Sequence, residues 1–264
     1  MRKDTKKNNL LSVIIPAYKQ EKTIQKDLIR ILSVMEKLRY KYEIIVVVDG
    51  MLDSTWKNAK KIKSSKLLVV GYETNKGKGY AVRFGMGRAR GGIVAFIDSG
   101  MDLHPNGLSM LLEHFEWYNA DIIVGSKRHP ASKVKYSAIR RVLSYGYYYL
   151  VKVLFGISVR DTQAGIKIFR KPVLKKILPR LLEKKFAGDL EILVASREAG
   201  YKRIFEAPIK LDYTFEKVTS AATLTSIFGM FIDTLAIFYR AHILHYYKSN
   251  HRKFKVPDKM LVLK

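Results

Sequence analysis

An α/β fold, with a mostly parallel sheet flanked by helices and amphipathic interfacial helices near the C-terminus, is what the sequence predicts. Three observations carry that expectation. Short runs of Val, Ile and Leu alternate with stretches of helical periodicity from Leu11 to about Asp98. The runs are apolar throughout rather than on every second residue, as suits strands covered on both faces. Two of them end in an acid, Asp49 and Asp98, and in open parallel sheets ligands bind beyond the carboxyl ends of the strands.

The elements follow in order. "SVIIPAY" is a short strand ended by Pro16, and Ile24, Leu28, Ile31, Leu32, Met35 and Leu38 then recur at helical spacing. "EIIVVVDG" is the second strand, "DSTWKNAKKIK" a helix and "KLLVVGYE" the third strand. A Gly-rich helix starts near Tyr80 and leads to the strand "GGIVAFID". After the helix "NGLSMLLEHFEWY" and the strand "DIIVGSK" the pattern loses regularity and gains aromatic residues. "RRVLSYGYYYLVKVLFGI" and "TLTSIFGMFIDTLAIFYRAHILHYYK" mix Tyr, Phe, Leu and Val with basic residues. The predicted organisation is a basic tail over 1–10, an α/β domain over 11–215 and an amphipathic helical extension over 216–264. No internal repeat or Pro-rich linker divides the chain.

Among 264 residues, 49 are Lys or Arg and 23 are Asp or Glu, a formal charge of +26. Such a field favours anionic membranes, phosphorylated substrates or polyanions. The chain shows no recognisable nucleic-acid module, so nucleic acid is not an expected partner. With no Cys, disulfide and thiolate chemistry are excluded. The N-terminus lacks an apolar core of signal-peptide length. The longest uncharged run near the C-terminus, Val218 to Ile232, falls short of the roughly 20 apolar residues of a membrane span. A cytoplasmic protein, peripheral on the cytoplasmic face of a membrane, is the expectation.

One Asp at a strand end ordinarily caps the next helix. Here Asp49 with Asp53, and Asp98 with Asp102, gather carboxylates at one rim of a sheet in a strongly basic chain. Hard oxygen ligands of this kind suit Mg²⁺ or Mn²⁺, which keep coordination sites for phosphate oxygens. A metal-bridged nucleoside diphosphate is the matching guest. "NKGKGYAVRFGMG" has neither the Lys-Ser/Thr ending of a P-loop nor a complete G-x-G-x-x-G, yet Lys78 and Arg83 are spaced to face a diphosphate.

Six stretches in order, "SVIIPAYKQEKTI", "EIIVVVDGMLDST", "NKGKGYAVRFGMGRARG", "IVAFIDSGMDLHP", "VGSKRHP" and "DTQAGIKIFRK", cover roughly Leu11 to Tyr213. This series resembles family 2 glycosyltransferases of the GT-A (Rossmann-like) fold, especially the polyprenyl-phosphate sugar synthases that include dolichyl-phosphate mannosyl- and glucosyltransferases. The resemblance implies that Pro16, Ala17, Tyr18 and Glu21 shape a nucleoside pocket, with Asp49 bonding base or ribose and Lys78 and Arg83 near the donor. It also implies a metal motif at Asp98, Gly100 and Asp102. Gly100 stands where a second carboxylate is expected, so Asp102 takes over that role or metal affinity is lost. Lys19-Gln20 replaces the family's common Asn-Glu.

The implied reaction is an inverting transfer of a hexose, from a nucleotide sugar of the UDP-glucose or GDP-mannose type, to a polyprenyl phosphate. A lipid phosphate is already an anion and attacks unaided, whereas a sugar hydroxyl needs a general base. Lys127 and Arg128, with Arg140 and Arg141 as further candidates, would hold the phosphates of donor and acceptor together. Asp161, Gln163 and Lys167 would line the acceptor side. Asp189 and Glu191 are the available bases in the alternative reading, a transferase acting on a saccharide hydroxyl. A nucleotide-binding degenerate transferase is the other alternative. The aromatic and basic stretches from Val142 to Ile157 and from Leu224 to Tyr247 suit the boundary of an anionic membrane, or else core and oligomer-contact helices.

Overall fold

The computed structural model describes residues 9–99, 107–132, 138–185, 187–209 and 224–248, the side chains of 138–142 and 224–227 excepted. Strands β1 (Leu10–Ala17), β2 (Lys41–Asp49), β3 (Leu67–Tyr72) and β4 (Ile93–Ile97) alternate with helices α1 (Ile24–Met35), α2 (Thr55–Lys60) and α3 (Lys78–Arg88). Then come α4 (Gly107–Trp117), β5 (Ile122–Ser126), α5 (Ala138–Phe155), β6 (Ile166–Arg170), α6 (Lys171–Ile177), α7 (Gly188–Glu198), β7 (Ile204–Pro208) and α8 (Leu224–Phe238).

The local reasons match the sequence. From Leu11 to Ala17, β1 is buried on both faces, as a strand with helices above and below requires. In α1, Ile24, Leu28, Ile31 and Met35 form one buried stripe. Fully burying each such side chain contributes roughly 1.5–3 kcal/mol, so the sheet and its helices hold together through this contact. The helix predicted over 53–63 is shorter, because within α2 only Thr55 and Ala59 are buried.

The sheet has seven strands in the order β3-β2-β1-β4-β6-β5-β7. β1, β2, β3 and β4 are parallel, while β6 runs antiparallel between β4 and β5. β7 pairs parallel with β5. The order reverses at β1: β2 and β3 lie to one side of it, β4 to the other. The crevice between the carboxyl ends of β1 and β4 is therefore the expected ligand site of an open sheet.

β6, α6, α7 and β7 belong to the stretch whose pattern loses regularity. β6 reads Ile-Lys-Ile-Phe-Arg, and its Lys167 and Arg170 mask an apolar strand. Its register, Ile97 opposite Ile166 and Phe96 opposite Lys167, brings the segment before β6 to the same rim as the end of β4. β5 ends on that rim too, so Lys127 and Arg128 emerge there.

At the C-terminal side, α8 runs on into a π-helical turn over Tyr239–Ile243. Ile237, Ala241, Tyr246 and Tyr247 are buried in the same core cluster as α3 and α7, so this segment packs on the sheet domain. α5 and α8 meet through Phe155 and Phe238, ring centroids 6.2 Å apart, and through Tyr147 and Thr234, whose hydroxyl oxygens are 3.1 Å apart. Their other faces stay exposed: Tyr145, Tyr149 and Val153 on α5, and Phe228, Ile232 and Leu235 on α8. No helix among the described residues is long and apolar enough to cross a membrane.

Candidate active site

The rim of the sheet collects Ala17 from β1, Asp49 from β2, Asp98 just beyond β4, the residues before β6 and Lys127 just beyond β5. Asp49 is buried and organises the turn that follows β3. Its Oδ1 accepts from the Lys76 amide at 2.7 Å, and its Oδ2 accepts from the Gly77 amide at 3.0 Å and from Asn75 Nδ2 at 2.9 Å. The expected contact with base or ribose would use the remaining acceptor capacity of a carboxylate already holding three donors. Lys76 lies over the rings of Tyr72 and Tyr80, 5.4 and 5.0 Å from the centroids.

Pro16 and Ala17 are buried at the end of β1, and Tyr18 is half-exposed beside them. Lys19 takes a left-handed backbone with φ of 50°. Its ammonium sits 5.5 Å from the Tyr18 ring centroid. Glu21 and Asp53 brace two loops reciprocally: the Glu21 amide donates to Asp53 Oδ2 at 3.3 Å, and the Ser54 amide donates to Glu21 Oε2 at 3.2 Å. Glu21 therefore shapes this end of the crevice by fixing the entry to α2.

The centre of the rim is an ion network drawn from four elements. Lys78 opens α3, and its Nζ lies 2.9 Å from Asp98 Oδ1, 3.0 Å from Asp98 Oδ2 and 3.0 Å from Asp189 Oδ2. Lys167, fully buried on β6, donates from Nζ to Asp189 Oδ1 and to the Ala164 carbonyl, each at 2.7 Å. Burial opposes ionisation of Asp189, yet Lys167 and Lys78 outweigh it and hold the carboxyl below its ordinary value. Burial likewise opposes the charge on Lys78, and the Asp189 and Asp98 carboxylates push it net upward. Burial lowers Lys167 despite its contact with Asp189. The network thus unites four predicted residues, Asp98, Lys78, Lys167 and Asp189.

Beside it, the Lys127 amide donates to Asp161 Oδ2 at 3.1 Å, so Asp161 fixes the turn after β5. Arg128 bonds the Arg160 carbonyl at 2.6 Å and the Ser144 hydroxyl of α5. In this arrangement its guanidinium ties α5 to the segment before β6, and the remaining N–H donors of the fork carry any phosphate contact. Gln163 turns its buried amide toward the Tyr147 hydroxyl of α5.

Three expectations are corrected. Arg83 does not face the rim: it is buried, and its Nη1 donates to the Leu181 carbonyl, because its place on α3 turns it toward the segment after α6. Asp189 is a poor base, since the ammonium groups of Lys167 and Lys78 hold its oxygens and lower its affinity for a proton. Glu191 is fully buried, two residues along α7 from Asp189 and so on the other side of the helix, turned away from the rim network. It accepts from the Leu182 and Glu183 amides at 2.9 and 2.8 Å and from the Tyr247 hydroxyl at 2.7 Å, and burial pushes its carboxyl up. Arg240 of the π-helical turn joins Glu183 in an ion pair.

Glu191 thereby latches the 182–185 segment, which lies on the start of α3. The Tyr80 amide donates to the Lys184 carbonyl at 3.2 Å. Gly77, with φ of 94°, leaves room for that carbonyl: a Cβ there would fall 3.1 Å from the Lys184 carbonyl carbon and closer to its oxygen. The arrangement sets Lys78 at the rim.

Gly100 and Asp102 lie outside the described residues, and Arg140 and Arg141 fall in α5 with their side chains outside them. The metal expectation is thus tested on Asp98. Its carboxylate is 41% exposed and presents two hard oxygens at the switch point. No group of three or more acidic, His or Cys ligands exists among the described residues. A single carboxylate fits Mg²⁺ or Mn²⁺, which bind through one or two carboxylates with phosphate oxygens and water.

Sequence reading missed Gly165, whose carbonyl accepts from the Asp98 amide at 2.8 Å. Its signal is a lone Gly directly before a β-branched residue, a mark of close backbone approach. It also missed the Asn75-Lys76-Gly77 turn as the partner of Asp49 and Glu183-Arg240 as a latch. Nothing local joins residues so far apart in sequence.

Comparison with known proteins agrees with this geometry. Residues 12–178, from β1 to the end of α6, match the family model described as Glycosyl transferase family 2. A dolichyl-phosphate beta-glucosyltransferase of Drosophila melanogaster is 35% identical over 69% of this chain and 61% of its own length. The Homo sapiens protein of the same description is 33% identical over 77% of this chain and 67% of its own. The chain thus spans about three fifths of the Drosophila relative. Glucosyl-3-phosphoglycerate synthase from Mycobacterium tuberculosis, solved in complex with Mn²⁺, UDP and glucosyl-3-phosphoglycerate, superposes with a TM-score of 0.63 at 19% identity, over 87% of this chain and 78% of that one. That likeness shows a shared GT-A fold. With its switch-point carboxylate, its basic rim and this match along most of the sheet, the chain belongs to glycosyl transferase family 2.

Proposed function

We propose that the protein transfers a hexose from a nucleotide sugar to a polyprenyl phosphate at a membrane surface, with inversion at the anomeric carbon. The observation that carries this reading is the state of the two acids beside the rim. A hydroxyl acceptor needs a base, and the two candidates are poor ones: Lys167 stays on Asp189 and lowers its proton affinity whether or not Lys78 is present, and Glu191 is buried against the Leu182 and Glu183 amides. A phosphate acceptor needs none: one of its oxygens attacks the anomeric carbon, the bond from that carbon to the donor diphosphate breaks, and the nucleoside diphosphate leaves. The relatives named dolichyl-phosphate beta-glucosyltransferase support a lipid-phosphate acceptor and a glucosyl donor.

In this reading Pro16, Ala17, Tyr18 and Glu21 form the nucleoside end, and Asp49 holds the turn beneath it. Lys78 faces the donor diphosphate, while Lys127 and Arg128 draw the acceptor phosphate toward it against their mutual repulsion. Asp161 and Gln163 line the acceptor side. Asp98, with Asp102 as the second expected carboxylate, would hold a divalent ion, which would supply neutralisation of the charge on the leaving diphosphate.

The test is a panel of nucleotide sugars offered with short polyprenyl phosphates and Mg²⁺ or Mn²⁺, read as labelled glycolipid. Glycolipid with one donor is the expected result. Transfer to a free saccharide instead would overturn the acceptor assignment, and nucleotide binding without turnover would identify a degenerate transferase.

A further inference from the structure

We propose that Lys78 is a movable counter-cation that occupies the metal position on Asp98 until the donor diphosphate draws it away. The inference rests on the reading of Asp98 as the donor-metal carboxylate. Its ground is the geometry of the fork: Lys78 Nζ stands 2.9 Å from Oδ1 and 3.0 Å from Oδ2, on the face a cation shared by both oxygens would use. Its third acceptor, Asp189 Oδ2 at 3.0 Å, completes the three bonds an ammonium can donate. An ammonium and a divalent ion in the same carboxylate fork are like charges at contact distance, so they exclude each other.

The second lysine makes the departure of the first inexpensive. Lys167 is fully buried and fixed between Asp189 Oδ1 and the Ala164 carbonyl. When Lys78 leaves, Asp189 keeps an ammonium partner and no buried carboxylate is stranded. The Lys78 side chain is 22% exposed and flexible, whereas Lys167 has no exposure at all. One lysine is built to stay and the other to swing. The receiver is an anion at the same rim, a nucleoside diphosphate carrying its own divalent ion. Lys78 would thus disfavour a bare metal ion and favour one that arrives with phosphate.

Mn²⁺ binding without nucleotide tests this, read by electron paramagnetic resonance of the free ion. Lys78→Gln should bind Mn²⁺ alone at least about tenfold more tightly than the wild type. The same variant should bind UDP more weakly when Mn²⁺ is present. Lys78→Met, which keeps the stem volume, covers the case in which the Gln variant does not fold, and Lys78→Arg should stay as weak for Mn²⁺ as the wild type. If the wild type retains Mn²⁺ with UDP but neither neutral variant binds it more tightly without UDP, the counter-cation role is wrong and the metal reading stands. If no protein retains Mn²⁺ even with UDP, the metal reading fails and this inference with it.

Discussion

Gly165 and Asp98 share one space: a Cβ built on Gly165 would lie 2.8 Å from Asp98 Cγ, and the Gly165 carbonyl accepts from the Asp98 amide at 2.8 Å. The carboxylate rests against bare backbone, so no side chain other than hydrogen is compatible with its observed position. Gly165→Ala should displace the carboxylate from Lys78 and weaken nucleotide-dependent Mn²⁺ binding by about tenfold or more, a loss of roughly 1.4 kcal/mol. Calorimetry with UDP and Mn²⁺ checks this, and thermal melting of the same variant separates it from a general loss of fold. Unchanged affinity would show that the placement of Asp98 does not matter to the ion.

Asp189 joins both lysines of the rim network, one of them fully buried. Asp189→Asn leaves Lys167 without a counter-charge and should cost about 3–5 kcal/mol of stability at neutral pH. The pH dependence has a definite sign. The folded-state value of Asp189 lies below its ordinary 3.8, so its contribution is full above pH 3.8 and is lost as pH falls through the folded value. Urea unfolding of the two proteins should show a gap that closes only in acid below pH 3.8. A gap that vanishes near pH 6 would assign the network to another group.

Lys19 holds a left-handed backbone that costs an ordinary L-residue about 1–2 kcal/mol and costs Asn less. Lys19→Asn should therefore raise stability by roughly 0.5–1 kcal/mol, because Asn tolerates the left-handed backbone better. The expected sign is a higher urea midpoint at an unchanged slope. A lower midpoint would mean that the Lys19 contact with the Tyr18 ring and its attraction to the Asp53 carboxylate outweigh the backbone strain.

The outward stripes of α5 and α8 predict two components of membrane binding. The protein should sediment with anionic vesicles at low salt and be partly released at high salt, because the screening length falls from about 10 Å at 0.1 M to about 3 Å at 1 M. The salt-resistant remainder should fall in the double variant Tyr149→Ser, Phe228→Ser, whose targets are 58% and 67% exposed. A variant that sediments like the wild type at high salt would remove these helices from the interface.

The sequence by itself determined the strands and helices through β5, since each signal is carried by neighbours one to four residues apart: apolar runs for β1 to β4 and the 3.6-residue period of α1. It also determined which residues stand at strand ends, and Asp49 and Asp98 are both found there. Tertiary structure decided what those residues touch. β6 is inserted antiparallel between β4 and β5 although its own pattern is weak, because an edge left open on β4 is satisfied by any segment whose register buries Ile166, Ile168 and Phe169. That choice carried Gly165 under Asp98 and Lys167 to Asp189, and the fold brought Asp189 to Lys78 across 111 residues. Arg83 went to a core carbonyl, and Glu191 became a latch rather than a base. A residue's charge is written locally, but the partner that sets its protonation and its role is chosen by packing at long range.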